Sequence, residues 1–243
     1  MKFKKICYIC HNKINSSDTS ICNYCFDKLT KLSWTYCGRC ANHKCYGCDN
    51  LKQFSNVINV FIYAHGLPEL LVQAKDQNDL NAQYVFNHFF YKMVLEKLKI
   101  IMEKFEYNYI VLPPLRKERI LNSQWHPIIF LENIINTILK SNNFSYMPQI
   151  LSPVFNFSFY RQAYVPSKTR ILTVNKYNDK KYVKIFTDSS FNTNKQNAKR
   201  ILLLDDVLTT GNTLKTIKEK VEENVTADFW DIFTIFRAIQ SDV

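Results

Sequence analysis

The sequence predicts an α/β domain with a mostly parallel sheet, preceded by a small cysteine-rich module. Three observations carry this. All eight cysteines fall in the first 48 residues. The rest of the chain alternates β-branched or aliphatic runs with amphipathic helical stretches, the pattern of strands joined by crossover helices. The run Ile201–Leu204 is apolar on both faces, as a strand buried in the middle of a parallel sheet should be. The division predicted is 1–52 for the module and 53–243 for the α/β domain.

The module comes first. Its cysteines form four C-x-x-C pairs: Cys7/Cys10, Cys22/Cys25, Cys37/Cys40 and Cys45/Cys48. Two thiolates at that spacing grip one tetrahedral ion, and two pairs complete an S₄ site, so the eight suit two structural zinc ions. Sequential pairing gives Cys7/Cys10/Cys22/Cys25 and Cys37/Cys40/Cys45/Cys48, and interleaved pairing satisfies the same count. His11 and His43 lie close enough to replace a cysteine. Iron–sulfur ligation uses the same soft donors. A disulfide scaffold fits poorly with the cytoplasmic chain expected here, since "MKFKKICYIC" has basic residues but no apolar stretch behind them. A segment this short builds little core, so metal should drive its folding. Lys28, Lys31, Trp34, Tyr36 and Tyr46 offer it a weak nucleic-acid surface, against a purely bracing role.

In the remainder, residues 56–64 read as a strand and 79–105 as a helix opened by an Asp79 cap. Its core stripe is expected at residues 80, 84, 91, 94, 98, 101 and 105. A short strand over 109–115 stops at Pro113–Pro114 and runs into Arg116, Lys117 and Arg119. Residues 127–140 form a second helix, 200–204 a strand, 212–223 a helix, and 228–239 contains a last strand. The stretch 152–196 is mixed and yields no assignment.

Charge and glycine narrow the function. With 32 Lys+Arg against 21 Asp+Glu, the net charge is +11. That favours polyanions (nucleic acid, phosphorylated small molecules, an anionic membrane surface), although drift in composition produces the same excess. The four glycines, Gly38, Gly47, Gly66 and Gly211, are too few and too scattered to write a dinucleotide fingerprint or a P-loop.

"ILLLDDVLTTGNTL" (201–214) then carries the chemistry. Asp205 and Asp206 are expected just past the carboxyl end of a central strand, where ligands bind in open α/β sheets. Thr209, Thr210, Gly211, Asn212 and Thr213 form the turn into a helix, whose free N–H groups favour an anion. A ribose beside a phosphate satisfies both halves, with its hydroxyls on the acids and its 5′-phosphate on the turn. Two other readings are an aspartate capping the next helix and the magnesium-binding strand of an ATPase; the latter lacks its lysine loop.

This stretch resembles the phosphoribosyl-pyrophosphate (PRPP) motif of type I phosphoribosyltransferases. The wider chain resembles the ComF/ComFC competence family, which joins a cysteine-rich zinc module to such a domain. The shared elements are the four cysteine pairs, "YAHGLPELLVQAK" (63–75), "VLPPLRKERILN" (111–122) and the acid motif. The family's R-G-F-N-Q becomes "RILNS" here: Arg119 and Asn122 match, while Ile120 and Ser123 depart from it. Gln162, Arg170 and Asn175 match a drifted Gln…Arg…Asn stretch. The resemblance implies a type I phosphoribosyltransferase-like sheet and PRPP bound with Mg²⁺. Asp205 and Asp206 would serve as the catalytic acids on the ribose, residues 209–213 would cradle the phosphate, and Arg116 and Lys117 would meet the pyrophosphate. It also implies a cytoplasmic role in natural transformation, handling single-stranded DNA with the translocation machinery. The alternative is an active transferase passing phosphoribose to an unidentified acceptor.

Overall fold

The structure is a computed structural model. It describes residues 6–14, 21–32, 37, 39–40, 51–113, 125–141, 148–151, 153–155, 183–185, 196–223 and 225–239. Five strands, β1 (Asn56–Tyr63), β2 (Tyr109–Val111), β3 (Gln149–Leu151), β6 (Gln196–Leu208) and β7 (Val225–Ala238), form one sheet in the order β1-β7-β6-β2-β3. Every pairing in it is parallel. β4 (Pro153–Phe155) and β5 (Val183–Ile185) make a separate antiparallel pair. Parallel neighbours need crossover connections, and helices supply them. α2 (Leu67–Lys75), α3 (Leu80–Val85) and α4 (Tyr91–Lys104) lie between β1 and β2, α5 (Pro127–Ser141) between β2 and β3, and α6 (Asn212–Glu222) between β6 and β7. α1 (Asn23–Leu32) belongs to the cysteine segment.

Alternation along β6 sorts the core onto the two sheet faces. Leu202 and Leu204 join Leu67, Leu70, Val94, Leu98, Leu131 and Ile135 from α2, α4 and α5. Ile201 and Leu203 join Leu214, Ile217 and Val221 from α6. Cys7, Ile9, Ile21, Cys25 and Leu29 belong to the first of these cores, so the first two cysteine pairs pack against the α2–α5 face. Phe26 meets Phe89 edge-on at 5.4 Å. The backbone of Ile9 sits so close to the start of α2 that a Cβ on Gly66 would lie 2.6 Å from its carbonyl oxygen.

Three expectations need correction. The helix expected over 79–105 is α3, a π turn over Phe86–Phe90, and α4. Asp79 does cap it, accepting from the amides of Asn81 and Ala82. Leu80 and Tyr84, expected in the core stripe, are 74% and 54% exposed, while Val94, Leu98 and Ile101 are buried as expected; Ala82, Phe86, Phe90 and Met102 are buried as well, so the buried line runs 82, 86, 90, 94, 98 and 102. That four-residue spacing drifts by about 40° per step on an ideal helix, and the wider π turn takes up the drift. β2 ends at Val111, short of the expected 115. β6 begins earlier and runs further than the expected 200–204, because β7 pairs with it as far as Leu208↔Arg237.

Candidate ribose-phosphate site

The sheet order singles out one crevice. From β2 the chain goes outward to β3, and from β6 it goes the opposite way to β7. The two crossover helices pack on opposite faces, α5 on one and α6 on the other. The carboxyl ends of β2 and β6 therefore flank a topological switch point, where open α/β sheets bind ligands. Pairing of β2 with β6 reaches Val111↔Leu203, and Asp205 and Asp206 lie on β6 just beyond it. The acids sit inside the strand, not after it.

They do not cap α6. The residue before that helix is Gly211, with φ +77, and a Cβ there would lie 2.5 Å from Leu51 Cδ2. Glycine is needed both for the left-handed backbone and for the close approach. The first helical bond closes from Lys215 N–H to the Gly211 carbonyl at 2.9 Å, which leaves the preceding amides of the turn without an intrahelical acceptor. No acidic residue occupies the first turn of α6, so its positive end is open to an external anion. Thr210 is exposed; Thr209, Asn212 and Thr213 are half-buried.

The acid pair has a partner that no local pattern in the sequence assigns to it. Lys75, the last residue of α2, donates from Nζ to Asp206 Oδ2 at 2.8 Å, across 131 residues of chain. Burial, the largest single influence, pushes the Asp206 carboxyl up, but the Lys75 ammonium, His126 at the start of α5 and the hydrogen bonds with Lys75 and Asp205 together outweigh it. The carboxyl is held well below the usual range. Asp205 behaves oppositely: burial first, then the neighbouring Asp206 charge, push it well above the ordinary value. Its Oδ1 accepts from the Asp206 amide at 2.8 Å. One member of the pair is thus a fixed carboxylate and the other keeps its proton more readily, a set that can both accept from and donate to vicinal hydroxyls. Tyr63, at the end of β1, has its hydroxyl pushed up to about 12 by burial and by the Asp206, Glu69 and Asp76 charges. Lys75 closes "YAHGLPELLVQAK"; a lone lysine ending a helix that buries Leu67, Leu70, Leu71 and Ala74 is the available signal.

The metal-ligating residues also converge in part. The thiol sulfurs of Cys7, Cys10, Cys22 and Cys25 all lie within 4.8 Å of one another. Cys10 and Cys22 Sγ are 3.8 Å apart, which matches the edge of a tetrahedron with Zn–S bonds of about 2.3 Å. The amides of Ile9 and Cys22 donate to Cys7 Sγ at 3.4 and 3.3 Å. Burial raises that thiol, but the amides of Cys22, Cys10 and Ile9, with the Cys10 side chain, together outweigh it and bring it to about 7. This donor set fits zinc, and it brings the first two pairs together, as sequential pairing requires. None of the six described cysteines is in a disulfide. Cys40 is buried and Cys37 half-buried. Cys45, Cys48 and His43 lie outside the described residues, as do Arg116, Lys117, Arg119, Asn122, Gln162, Arg170 and Asn175. No helix among the described residues is long and apolar enough to cross a membrane.

No protein-family model and no curated protein matches the sequence. Among solved structures, the chain is similar to a purine phosphoribosyltransferase from Pyrococcus horikoshii, with 13% identity over 60% of this chain and 81% of that one, at a TM-score of 0.33. It is also similar to a hypoxanthine phosphoribosyltransferase from Staphylococcus aureus in two crystal forms. In the tetragonal form the identity is 15% over 60% of this chain and 62% of that one, with a TM-score of 0.33. In the orthorhombic form it is 16% over 63% and 68%, with a TM-score of 0.34. The architecture of this chain stands on its own strand order, register and core, and not on these scores.

Proposed function

We propose that this chain binds PRPP with Mg²⁺ through a phosphoribosyltransferase-type site, and that it acts as a ComFC-like competence protein in cytoplasmic DNA uptake. In this reading Asp205 and Asp206 take the ribose hydroxyls, and residues 209–213 take the 5′-phosphate. Arg116 and Lys117 meet the pyrophosphate. Residues 1–52 are a zinc module, with one ion on Cys7/Cys10/Cys22/Cys25 and a second on Cys37/Cys40/Cys45/Cys48, set against a 53–243 phosphoribosyltransferase-like domain. The observation that carries the reading is the Lys75-held acid pair at the β2/β6 switch point, one turn before a glycine-initiated helix open to anions. Acids, turn and helix dipole occur in the order a ribose 5-phosphate requires.

Calorimetric titration of Mg²⁺-PRPP into the zinc-loaded protein and into Asp205→Asn/Asp206→Asn tests the ligand. Binding by the wild type that is lost in the variant is expected. A folded, zinc-loaded wild type that binds no PRPP overturns the reading. Acceptor-dependent release of pyrophosphate would identify the protein as an active transferase. For DNA handling, affinity for a single strand should fall with salt. Neutralising Arg116, Lys117 and Arg119 should make the log–log slope shallower by about 0.7 for each phosphate that they pair with. Absent or salt-independent binding refutes the DNA role.

A further inference from the structure

Arg237 is a cation inside an apolar strand. It follows Ile235 and Phe236 in β7 and is only 1% exposed. At that depth a guanidinium depends on hydrogen-bond partners, and its two terminal nitrogens have them. Nη1 donates to the Leu208 carbonyl at 2.7 Å and also to the Thr209 carbonyl. Nη2 donates to the Arg39 carbonyl at 2.6 Å. Leu208 ends β6, Thr209 opens the anion turn, and Arg39 lies between Cys37 and Cys40.

The same short segment reaches the turn a second time, through Leu51. The Arg39 side chain donates to the carbonyls of Leu51 and Ser55 at 2.8 and 2.7 Å. Leu51 is the residue whose side chain lies against Gly211. Arg39, Arg237, the 208–211 turn and Leu51 therefore close a ring of interactions. Pinning two successive carbonyls has a directional consequence. In a planar trans peptide the N–H points opposite to the C=O. With the Leu208 and Thr209 carbonyls held toward Arg237, the amides of Thr209 and Thr210 are aimed away from it.

We propose that Arg237 is a positioning residue for the anion turn, fastening it to the Cys37–Cys40 segment so that the turn's affinity for a 5′-phosphate depends on that segment being folded. This rests on the ribose-phosphate reading of the turn. It assigns the cysteine segment a part in ligand binding at a distance from the acid pair.

The test is a double-mutant cycle on the zinc-loaded full chain, with ribose 5-phosphate and Mg²⁺-PRPP as calorimetric probes. Arg237→Met should weaken both by about tenfold or more, the scale of charge-assisted hydrogen bonds. Cys37→Ser/Cys40→Ser should weaken them comparably, and the combined variant should lose no more than about twofold beyond either. Zinc at the Cys7/Cys10/Cys22/Cys25 cluster should be unchanged in Arg237→Met by elemental analysis. Wild-type affinity in Arg237→Met, or losses that simply add, overturn the proposal. Should Arg237→Met fail to fold, Arg237→Lys takes its place; it keeps the charge and loses the fork, and a smaller loss is expected. If the wild type binds neither probe, the ribose-phosphate reading fails, and hydrogen exchange on the ligand-free protein decides the tie separately. Arg237→Lys should then speed exchange in peptides covering 37–40 and 208–214 together by at least about fivefold, with β1 unchanged. Change in only one of those segments, or in neither, refutes the tie.

Discussion

Replacing Lys75 with methionine removes the ammonium from Asp206 while keeping the length and apolar stem of the side chain. The two side chains are 26% and 14% exposed, so water screens the pair only in part. Removing one partner of a fully buried pair costs about 3–5 kcal/mol, and exposed pairs contribute about 0–1 kcal/mol. An intermediate loss of about 2 kcal/mol follows for Lys75→Met near pH 7. In a chain of this size that lowers the unfolding midpoint by roughly 4–8 °C. The pH dependence has a definite sign. The folded-state carboxyl of Asp206 is depressed in the wild type, so its contribution is fully present above the unfolded value of about 3.9 and disappears as pH falls through the lower folded value. In the variant burial remains and pushes Asp206 the other way, opposed by His126 and the Asp205 hydrogen bond without the lysine. That penalty fades as pH falls toward 4, so the gap between the two proteins should narrow on acidification. Thermal unfolding at saturating zinc from pH 7 to pH 4 measures it, with Lys75→Met/Asp206→Asn completing the cycle. The double variant should recover most of the loss at pH 7. A cost below about 0.5 kcal/mol, a gap that widens on acidification, or strict additivity would refute the assignment of Lys75 as the group holding Asp206 ionised.

The other expectations concern the turn, the cysteine cluster and the far end of the sheet. Gly211→Ala forces a side chain onto a backbone at φ +77 and against Leu51, so it should cost about 1–3 kcal/mol in chemical denaturation and weaken ribose 5-phosphate binding; wild-type behaviour in both would contradict the need for glycine. Elemental analysis should give about two zinc atoms per chain, and Cys25→Ser should remove one of them and loosen α1 from the π turn, seen as faster hydrogen exchange in α1. A folded, metal-free, disulfide-linked module would be the opposite result. Asp231 is fully buried and accepts from Arg200, Tyr107 and Asn56. Asp231→Asn should therefore cost about 3–5 kcal/mol while leaving affinity at the carboxyl edge unchanged; lowered ligand affinity in a stably folded variant would mean that the two ends of the sheet are coupled.

What is legible in the sequence is local, and what is not depends on partners far along the chain. Ile201–Leu204 announces a two-faced strand, and Thr-Thr-Gly announces a turn, because each is written in neighbouring residues. The end of β6 is not written there: the strand continues through the acids because β7 offers a parallel partner up to Arg237. The π turn is equally nonlocal. Phe86 and Phe90 meet Phe236 at 6.0 and 6.1 Å, and that aromatic packing accompanies a register which a 3.6-residue stripe places on Leu80 and Tyr84 instead. Lys75 and Arg237 are visible as residues but silent as to what they touch. Each is a cation closing or interrupting an apolar stretch, "LLVQAK" and "IFTIFR", and a cation in such a place needs a partner. For Lys75 the partner is one of the acids that the motif singles out; for Arg237 it is the backbone of the turn beside them. These two cations are therefore the complement of the acid motif: one holds the acid pair and the other holds the turn.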